Sequence, residues 1–469
     1  MLKKTIWEKT IVVVILLVVV AQGAVAQPKV ISPLQFGLDE ATTGEERFEV
    51  LLRTHEAAVR EQVGVSYEGI SSIYIDVPAG AKSIPLTDFT DFAGVALHVR
   101  NEQENLTLFR LTQAATDMAI TGREVDGGHL GRHKELADGL YLVDVTDETP
   151  WVENRDGFTY GAIRHDMLVV SDGKALNRPV ASYSTLASKP KATYCAVTPH
   201  EKVFRNLTFN RDAASTRKTY LVGIDHQYNV RLSDIVVNTP ADDELYGDAC
   251  IQLNHCAKVV LDHITVNGTY SQKRQYGYGI NLNAIYDLTV NRMYARAKWG
   301  VFGTNNLNKV LLTDCDINRF DIHCYGRDVA SERCHFSLLY NQFSSVFGTI
   351  SFTDCTFTDC CPVLFEYSYN AYTRFKLSFI NCRFNVTHDH NCIIYGGDAL
   401  RHEVRNSRPE LSRKFLPDIS FRNFVVNVPE GVDEVLVYKF HQPAAEAVPV
   451  DVSGIRVVSN HEVRIRPSN

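Results

Sequence analysis

No cysteine occurs before Cys195, although the chain carries eleven in 469 residues. A disulfide scaffold of the exported type spreads its cysteines through the fold. The placement here predicts mostly free thiols, with one bridge or none. Long apolar runs are also scarce: after Val20 none approaches the roughly 20 residues that cross a bilayer, so no membrane-embedded portion is expected beyond the N-terminus. The composition, 45% hydrophobic and 22% charged, carries no signature of disorder and supplies enough apolar material for a large core.

What is present at the N-terminus is Lys3 and Lys4, an apolar run from Ile11 to Val20, and the small-residue site Ala24-Val25-Ala26 before Gln27. These are the three parts of a secretory signal peptide, with an apolar core short for a membrane span. The expected mature protein starts near Gln27 and is periplasmic or secreted; an uncleaved anchor is the alternative. No cysteine stands at the cleavage site, which argues against a lipid anchor.

Thr43 and Glu46 have the spacing of a capping box, and Phe48, Leu51, Leu52, His55 and Val59 fall on one face, which predicts a helix over 43–62. Alternating runs such as Ser72–Val77 and Val95–Val99 read as strands. No linker separates these strands from the remainder of the chain. Residues 27–200 are therefore read as a cap with the first turns of one continuous architecture, and 201–469 as its later turns.

From residue 200 the chain repeats a pattern h-x-x-h-x-h, where h is apolar or small. Its copies are Phe204/Leu207/Phe209, Leu232/Ile235/Val237, Leu261/Ile264/Val266, Val290/Met293/Ala295 and Leu312/Cys315/Ile317. The later copies are Ser331/Cys334/Phe336, Phe352/Cys355/Phe357, Phe379/Cys382/Phe384, Phe421/Phe424/Val426 and Val452/Ile455/Val457. Successive middle positions step by 28, 29, 29, 22, 19, 21, 27, 42 and 31 residues. Such periods in β-rich units mean a solenoid, and the leucine-rich signature with its asparagine ladder is absent. The expected fold is all-β, a right-handed parallel β-helix whose N-terminal opening is capped by the helix. Cys315, Cys334, Cys355 and Cys382 then stack in an interior column. The cysteines at 250 and 256, and at 355, 360 and 361, are read as packing thiols rather than zinc ligands.

Strand alternation turns the repeat into a surface. Aligning Cys250–Asn254, Gly279–Asn283, Gly300–Thr304 and Asp321–Tyr325 leaves two outward columns, Gln252/Asn281/Phe302/His323 and Asn254/Asn283/Thr304/Tyr325. Amides, an aromatic ring, a histidine and a tyrosine are groups that contact sugars and move protons. The insertions Asn238–Asp248 and Asn267–Tyr278 lead into these strands and are expected to wall a cleft. Residues 271–335 carry nine basic and six acidic side chains, a local excess of three in a chain of net charge −7, which suits an anionic partner.

The signal peptide, cap, coil pattern and the run Arg319-Phe-Asp-Ile-His323 resemble the secreted right-handed parallel β-helix proteins of the pectate-lyase-like superfamily, especially those of glycan-degrading Bacteroidetes. The chain is similar in the same way to β-helical glycosaminoglycan lyases acting on chondroitin and hyaluronan. It departs from the polygalacturonases, having Asp242-Asp243 and Arg296-Ala-Lys298 but no Gly-His-Gly, and it lacks the Trp-x-Asp-His and Arg-x-Pro-x-x-Arg signatures of pectate lyases.

The resemblance implies a polysaccharide lyase, and β-elimination from a uronide needs a base for the C5 proton, an acid for the leaving oxygen and groups that neutralise the carboxylate. His323 is the expected base, Tyr325 or Tyr278 the acid, and Asn281, Gln252 and Arg319 the polarising groups. Lys298 and Arg327 are expected on sulfate or neighbouring uronates, Trp299 and Phe302 stacked on sugar rings, and Asn254 and Asn283 along the cleft. Asp321 is expected to orient rather than react. The alternatives are a glycoside hydrolase using two of Asp321, Glu366 and Asp316, or a β-helix that only binds glycan. A phage tailspike is disfavoured by the signal peptide. The expected partner is an anionic polysaccharide, with no nucleic acid and, after cleavage, no membrane. No all-oxygen cage is legible, so no metal ligand is assigned and calcium is left open.

Overall fold

The computed structural model of the protein describes residues 28–152, 162–180, 182–183, 189–239, 250–267, 278–295, 300–323, 325–343, 346–365, 374–396, 418–440 and 450–468. The expected signal peptide and most of both expected cleft walls lie outside the described residues, as do Lys298, Trp299, Cys324 and Glu366.

The repeat is a right-handed parallel β-helix, and its copies pair in the predicted order. Phe204, Leu207 and Phe209 align with Leu232, Ile235 and Val237, which align with Leu261, Ile264 and Val266. The series continues in parallel register to Phe379 beside Phe421, Phe384 beside Val426 and finally Val426 beside Val457. Upstream, Leu207 and Phe209 lie on Val95 and Leu97, so the coil already runs through the N-terminal third.

The three-then-two spacing has a backbone cause. The second x of nine copies, Asn206, Asp234, His263, Arg292, Asp314, Arg333, Asp354, Asn381 and Asn423, is left-handed, with φ between 51 and 62°. One such residue turns the strand through a corner and returns the next apolar side chain to the interior. Asparagine and aspartate tolerate this conformation best among residues with a Cβ, and they fill six of the nine corners.

The core is a continuous column of buried side chains. Phe352, Phe379 and Phe421 stack coil on coil, with ring centroids 5.3 and 5.5 Å apart. Cys315, Cys334, Cys355 and Cys382 are buried, and each thiol donates to the carbonyl two residues before it at 3.3 to 3.4 Å. All ten described cysteines are buried and free.

The helix spans Gly44–Glu61, with the Thr43 hydroxyl accepting from Glu46 N–H at 3.1 Å and the Glu46 carboxylate accepting from Thr43 N–H at 3.0 Å. It buries Phe48, Leu51 and His55 against the first coil, whereas Val59 is exposed and Ala58 takes the inward place. His55 Nε2 shares a 2.9 Å hydrogen bond with Tyr67 Oη inside the cap.

Between Thr116 and Ala196 the chain leaves the coil. Phe89–Arg100 pairs directly with Lys202–Arg211, and the residues between form a five-stranded antiparallel sheet. Two of its strands, Leu140–Val152 and Ala162–Ser171, put Val143, Val145, Leu168 and Val170 into a core of their own. Their other face, Leu142, Met167 and Val169, packs with Cys195 on Ala257 of the coil. Period-two alternation thus buries both faces, one in the excursion and one on the solenoid.

Candidate active site on the coil surface

The strands that carry the site are Ile251–Asn267, Ile280–Asn291 and Phe302–Thr313, together with the short strand Asp321–Ile322. Gln252 pairs with Asn281 and Asn254 with Asn283, as aligned from sequence. One coil on, Asn281 pairs with Gly303 and Asn283 with Asn305, one residue beyond the sequence alignment. A one-residue slip exchanges the two faces of a strand. Phe302 therefore enters the core, edge to face with Phe320 at 5.3 Å, and cannot stack on a sugar. The slip buries a phenylalanine where the unslipped register would have buried a glycine.

Tyr325, which lies beyond that strand, is displaced as well. It lies in register with Asn306 at a left-handed corner, φ 56°, and is fully buried, so it has no access to a leaving group. Arg319 is also corrected: its side chain is 3% exposed and its guanidinium is 2.7 Å from the Asp321 carboxylate, which removes it from direct contact with a substrate.

What the fold assembles is a chain of five side chains, Gln342, Arg319, Asp321, His323 and Tyr278. Arg319 Nη2 donates to Gln342 Oε1 and pairs with Asp321 Oδ2, while its guanidinium carbon stands 5.9 Å from the Tyr340 ring centre. Asp321 is fully buried, and its Oδ1 accepts from Thr304 N–H at 3.1 Å. Gln342 is the register partner of Asp321 on the next coil. Asp321 Oδ2 stands 3.5 Å from His323 Nε2, and that nitrogen is 3.0 Å from Tyr278 Oη.

Backbone and buried amides fix this arrangement. His323 N–H donates to Thr304 O at 2.9 Å, and the Thr304 hydroxyl donates to the Asp321 carbonyl. Asn318 Oδ1 accepts from Val301 N–H at 3.1 Å, and Asn341 Oδ1 accepts from Phe320 N–H at 3.0 Å. Gly300 leaves room for the Arg319 methylenes, and Gly303 leaves room for the Tyr278 ring. Among the described residues only the outer end is open, where His323 retains 12% exposure and Tyr278 is half-buried.

Of the residues expected from sequence, the fold brings together His323, Tyr278 and Arg319. Asn281 stands exposed beside half-buried Gln252 on the neighbouring outward column, and Asn254 and Asn283 form a parallel one, with Asn306 Nδ2 donating to Asn283 Oδ1 at 3.1 Å. Arg327 lies elsewhere, in a cleft of about 460 Å³ between the coil and the antiparallel sheet, where its Nε donates to Val180 O at 2.9 Å. Lys309 and Arg178 line that cleft too. Thr304, expected on an outward column, is instead fully buried in register with Leu282, and Gln342 and Gly303 were missed because their contribution is to support neighbours, which no local pattern records.

No protein-family model matches the chain, and no curated protein matches its sequence. Solved structures do match. The tailspike protein gp49 from Pseudomonas phage LKA1 superposes with a TM-score of 0.55 at 12% identity, over 93% of this chain and 77% of that one. The tailspike gp61 of Pseudomonas phage phi297 gives a TM-score of 0.52 at 10% identity, over 88% of this chain and 72% of that one. The likeness is one of fold alone. At these identities it establishes the coil, and the chemistry has to be argued from this chain's own side chains.

Proposed function

We propose that the protein is a carbohydrate-active enzyme, specifically a polysaccharide lyase that cleaves a uronic-acid-containing glycan by β-elimination. A glycosaminoglycan such as chondroitin or hyaluronan is the substrate class we favour, met in the periplasm or outside the cell. The observation that carries the proposal is the 3.0 Å hydrogen bond between Tyr278 Oη and His323 Nε2, set on a buried Asp321 carboxylate.

Elimination needs one proton removed and one delivered. The His323 imidazole takes the C5 proton, the C5–H electrons form the C4=C5 double bond, and the C4–O bond breaks. Tyr278 gives its phenolic proton to the departing oxygen. This leaves imidazolium and phenolate in hydrogen-bond contact, and the proton passes from one to the other to restore the resting pair. Asn281 and Gln252, register partners on neighbouring coils, are assigned the polarisation of the C6 carboxylate, which acidifies the C5 proton. Asp321 steadies the transient imidazolium, while Arg319 and Gln342 hold Asp321 in place; these three are positioning residues.

A glycoside hydrolase would need two carboxylates flanking the scissile bond. Asp321 is enclosed and paired with Arg319, and Asp316 stands 3.2 Å from His335 on a different strand. Both facts favour elimination.

The test is incubation with hyaluronan, chondroitin sulfate and polygalacturonate. An ultraviolet absorbance rise from unsaturated uronide, produced with new reducing ends, supports the lyase. New ends without that absorbance would make the protein a hydrolase, and saturable binding with neither would make it a glycan-binding coil.

A further inference from the structure

We propose that Asp144, His226 and His255 bind one divalent transition-metal ion of the zinc type, which fastens the antiparallel sheet to the solenoid. Asp144 belongs to the strand Leu140–Val152 of the excursion, whereas His226 and His255 belong to the coil. Each of the three offers one ligand atom, and these atoms lie within 4.8 Å of one another. No part of the elimination chemistry uses them.

The two histidines occupy one column by construction. They are left-handed corner residues of successive coils, φ 54 and 51°, and their ring centroids are 4.7 Å apart. A single carboxylate orients both: Asp225 Oδ1 is 2.8 Å from His255 Nδ1 and 2.9 Å from His226 Nδ1. When Asp225 accepts from both Nδ1–H groups, both Nε2 atoms keep a free lone pair. A carboxylate behind the outward nitrogen of a metal-ligating histidine fixes its tautomer and raises its basicity.

The third donor faces them from the excursion. Asp144 Oδ2 stands 3.6 Å from His255 Nε2. Asp144 is buried, and its Oδ1 has no hydrogen-bond partner; nor does the enclosed Nδ1 of His165, 3.8 Å away. Enclosing a carboxylate oxygen without a donor is costly, and a cation at this point satisfies it. Leu142, Met167, Cys195 and Ala257 pack around the junction on the coil side.

The donor set names the class of ion. Two imidazole nitrogens and a carboxylate oxygen suit zinc and its first-row neighbours, whereas calcium and magnesium require oxygen cages. Four ligands at about 2.0 to 2.1 Å in a tetrahedron stand roughly 3.3 Å apart, so the 3.6 Å pair needs only a small contraction. Water or His165 completes the shell. The ion would join two parts of the chain that otherwise meet through a modest apolar contact and a few hydrogen bonds.

The full chain, stripped with a chelator, is titrated with zinc by calorimetry and with cobalt(II) by visible absorbance. One equivalent of zinc and the intense visible bands of four-coordinate cobalt are expected, with the excursion becoming more resistant to proteolysis as zinc is added. Asp144→Asn, nearly isosteric, and His255→Ala should lose stoichiometric binding, and Asp225→Asn should weaken it by about 10- to 100-fold, as outer-shell changes do. His263→Ala, which removes a surface histidine paired with Asp234, should change nothing. Far-ultraviolet circular dichroism verifies that each variant is folded. Absence of stoichiometric zinc in the parent protein, or equal binding by the parent and a folded Asp144→Asn variant, would overturn the site and leave only a histidine and aspartate ion-pair network.

Discussion

Gly303 lies directly beneath the ring of Tyr278: a Cβ built on Gly303 would stand 2.6 Å from Tyr278 Cγ, inside any tolerable contact. The outward column that presents Gln252 and Asn281 thus reaches a position with no side chain, and the tyrosine occupies the space. Its hydroxyl is thereby delivered to His323. Gly303→Ala should push the ring away while leaving the strand pairing intact. We expect the proposed lyase activity to fall by about 100-fold, the order that a displacement of roughly 1 Å in a reacting group produces, with a melting temperature near that of the parent. Full activity in a folded Gly303→Ala protein would show that Tyr278 is not required where it stands.

His323→Ala and Tyr278→Phe should each lower kcat by about 10²- to 10⁴-fold, the range for a lost general acid or base. Substrate binding, measured by affinity electrophoresis, should change little. Asp321→Asn belongs to a different class. It removes the buried partner of Arg319, and breaking such a pair costs on the order of 3 to 5 kcal/mol, so urea denaturation should register it together with a changed pH profile of kcat. A stability loss with an unaltered pH profile would confine Asp321 to a structural role.

Acid should loosen the cap. Burial pushes the His55 imidazole down to about 3 from an ordinary value of 6.5, so the folded protein holds it neutral. Above pH 6.5 neither the folded nor the unfolded state binds the proton. As pH falls from 6.5 toward 3 only the unfolded chain does, and stability is lost at up to about 1.4 kcal/mol per pH unit from this one group. Denaturant midpoints at pH 7 and pH 5 measure the slope, and His55→Gln should flatten it. An unchanged slope in that variant would assign the acid sensitivity to other groups.

The corners should discriminate by backbone. Asn381 is exposed and left-handed, φ 53°, and its side-chain oxygen accepts from Asn423 Nδ2 at 3.3 Å. Asn381→Gly and Asn381→Val both remove that hydrogen bond. Only the second strains the backbone, so valine should be less stable than glycine by about 1 to 2 kcal/mol. Equal denaturant midpoints for the two would contradict the role assigned to these corners.

The coil was legible because its physics is local and repeated. Each h-x-x-h-x-h copy records which side chains point inward, nine of the ten around a left-handed corner, and the copies reinforce one another. The capping box at Thr43 and Glu46 was legible for the same reason, being two residues within one turn that satisfy each other. The excursion from Thr116 to Ala196 was not, because alternation of apolar and polar residues is identical in parallel and antiparallel strands. Its strands differ from those of the coil only in their partners.

At the site the division is sharper. His323 and Tyr278 could be named from residue type, but their contact joins residues 45 apart in sequence across two coils. Phe302 was misplaced because its strand slips by one residue, and Tyr325 because it falls at a left-handed corner one position away from the aligned column; the choice between registers rests on the total area buried by both neighbours. His226 and His255 did leave a trace, 29 residues apart like Ile235 and Ile264. Asp144, which faces them, left none.

By itself, then, the sequence determined the period, the inward residues, the corners and the capped end, since each arises from sterics and apolar burial within one turn of chain. The tertiary structure alone decided which outward residues become enclosed, which carboxylate meets which histidine, and where the polar columns end. Those outcomes depend on what packs over the coil from outside, and a distant segment supplies it.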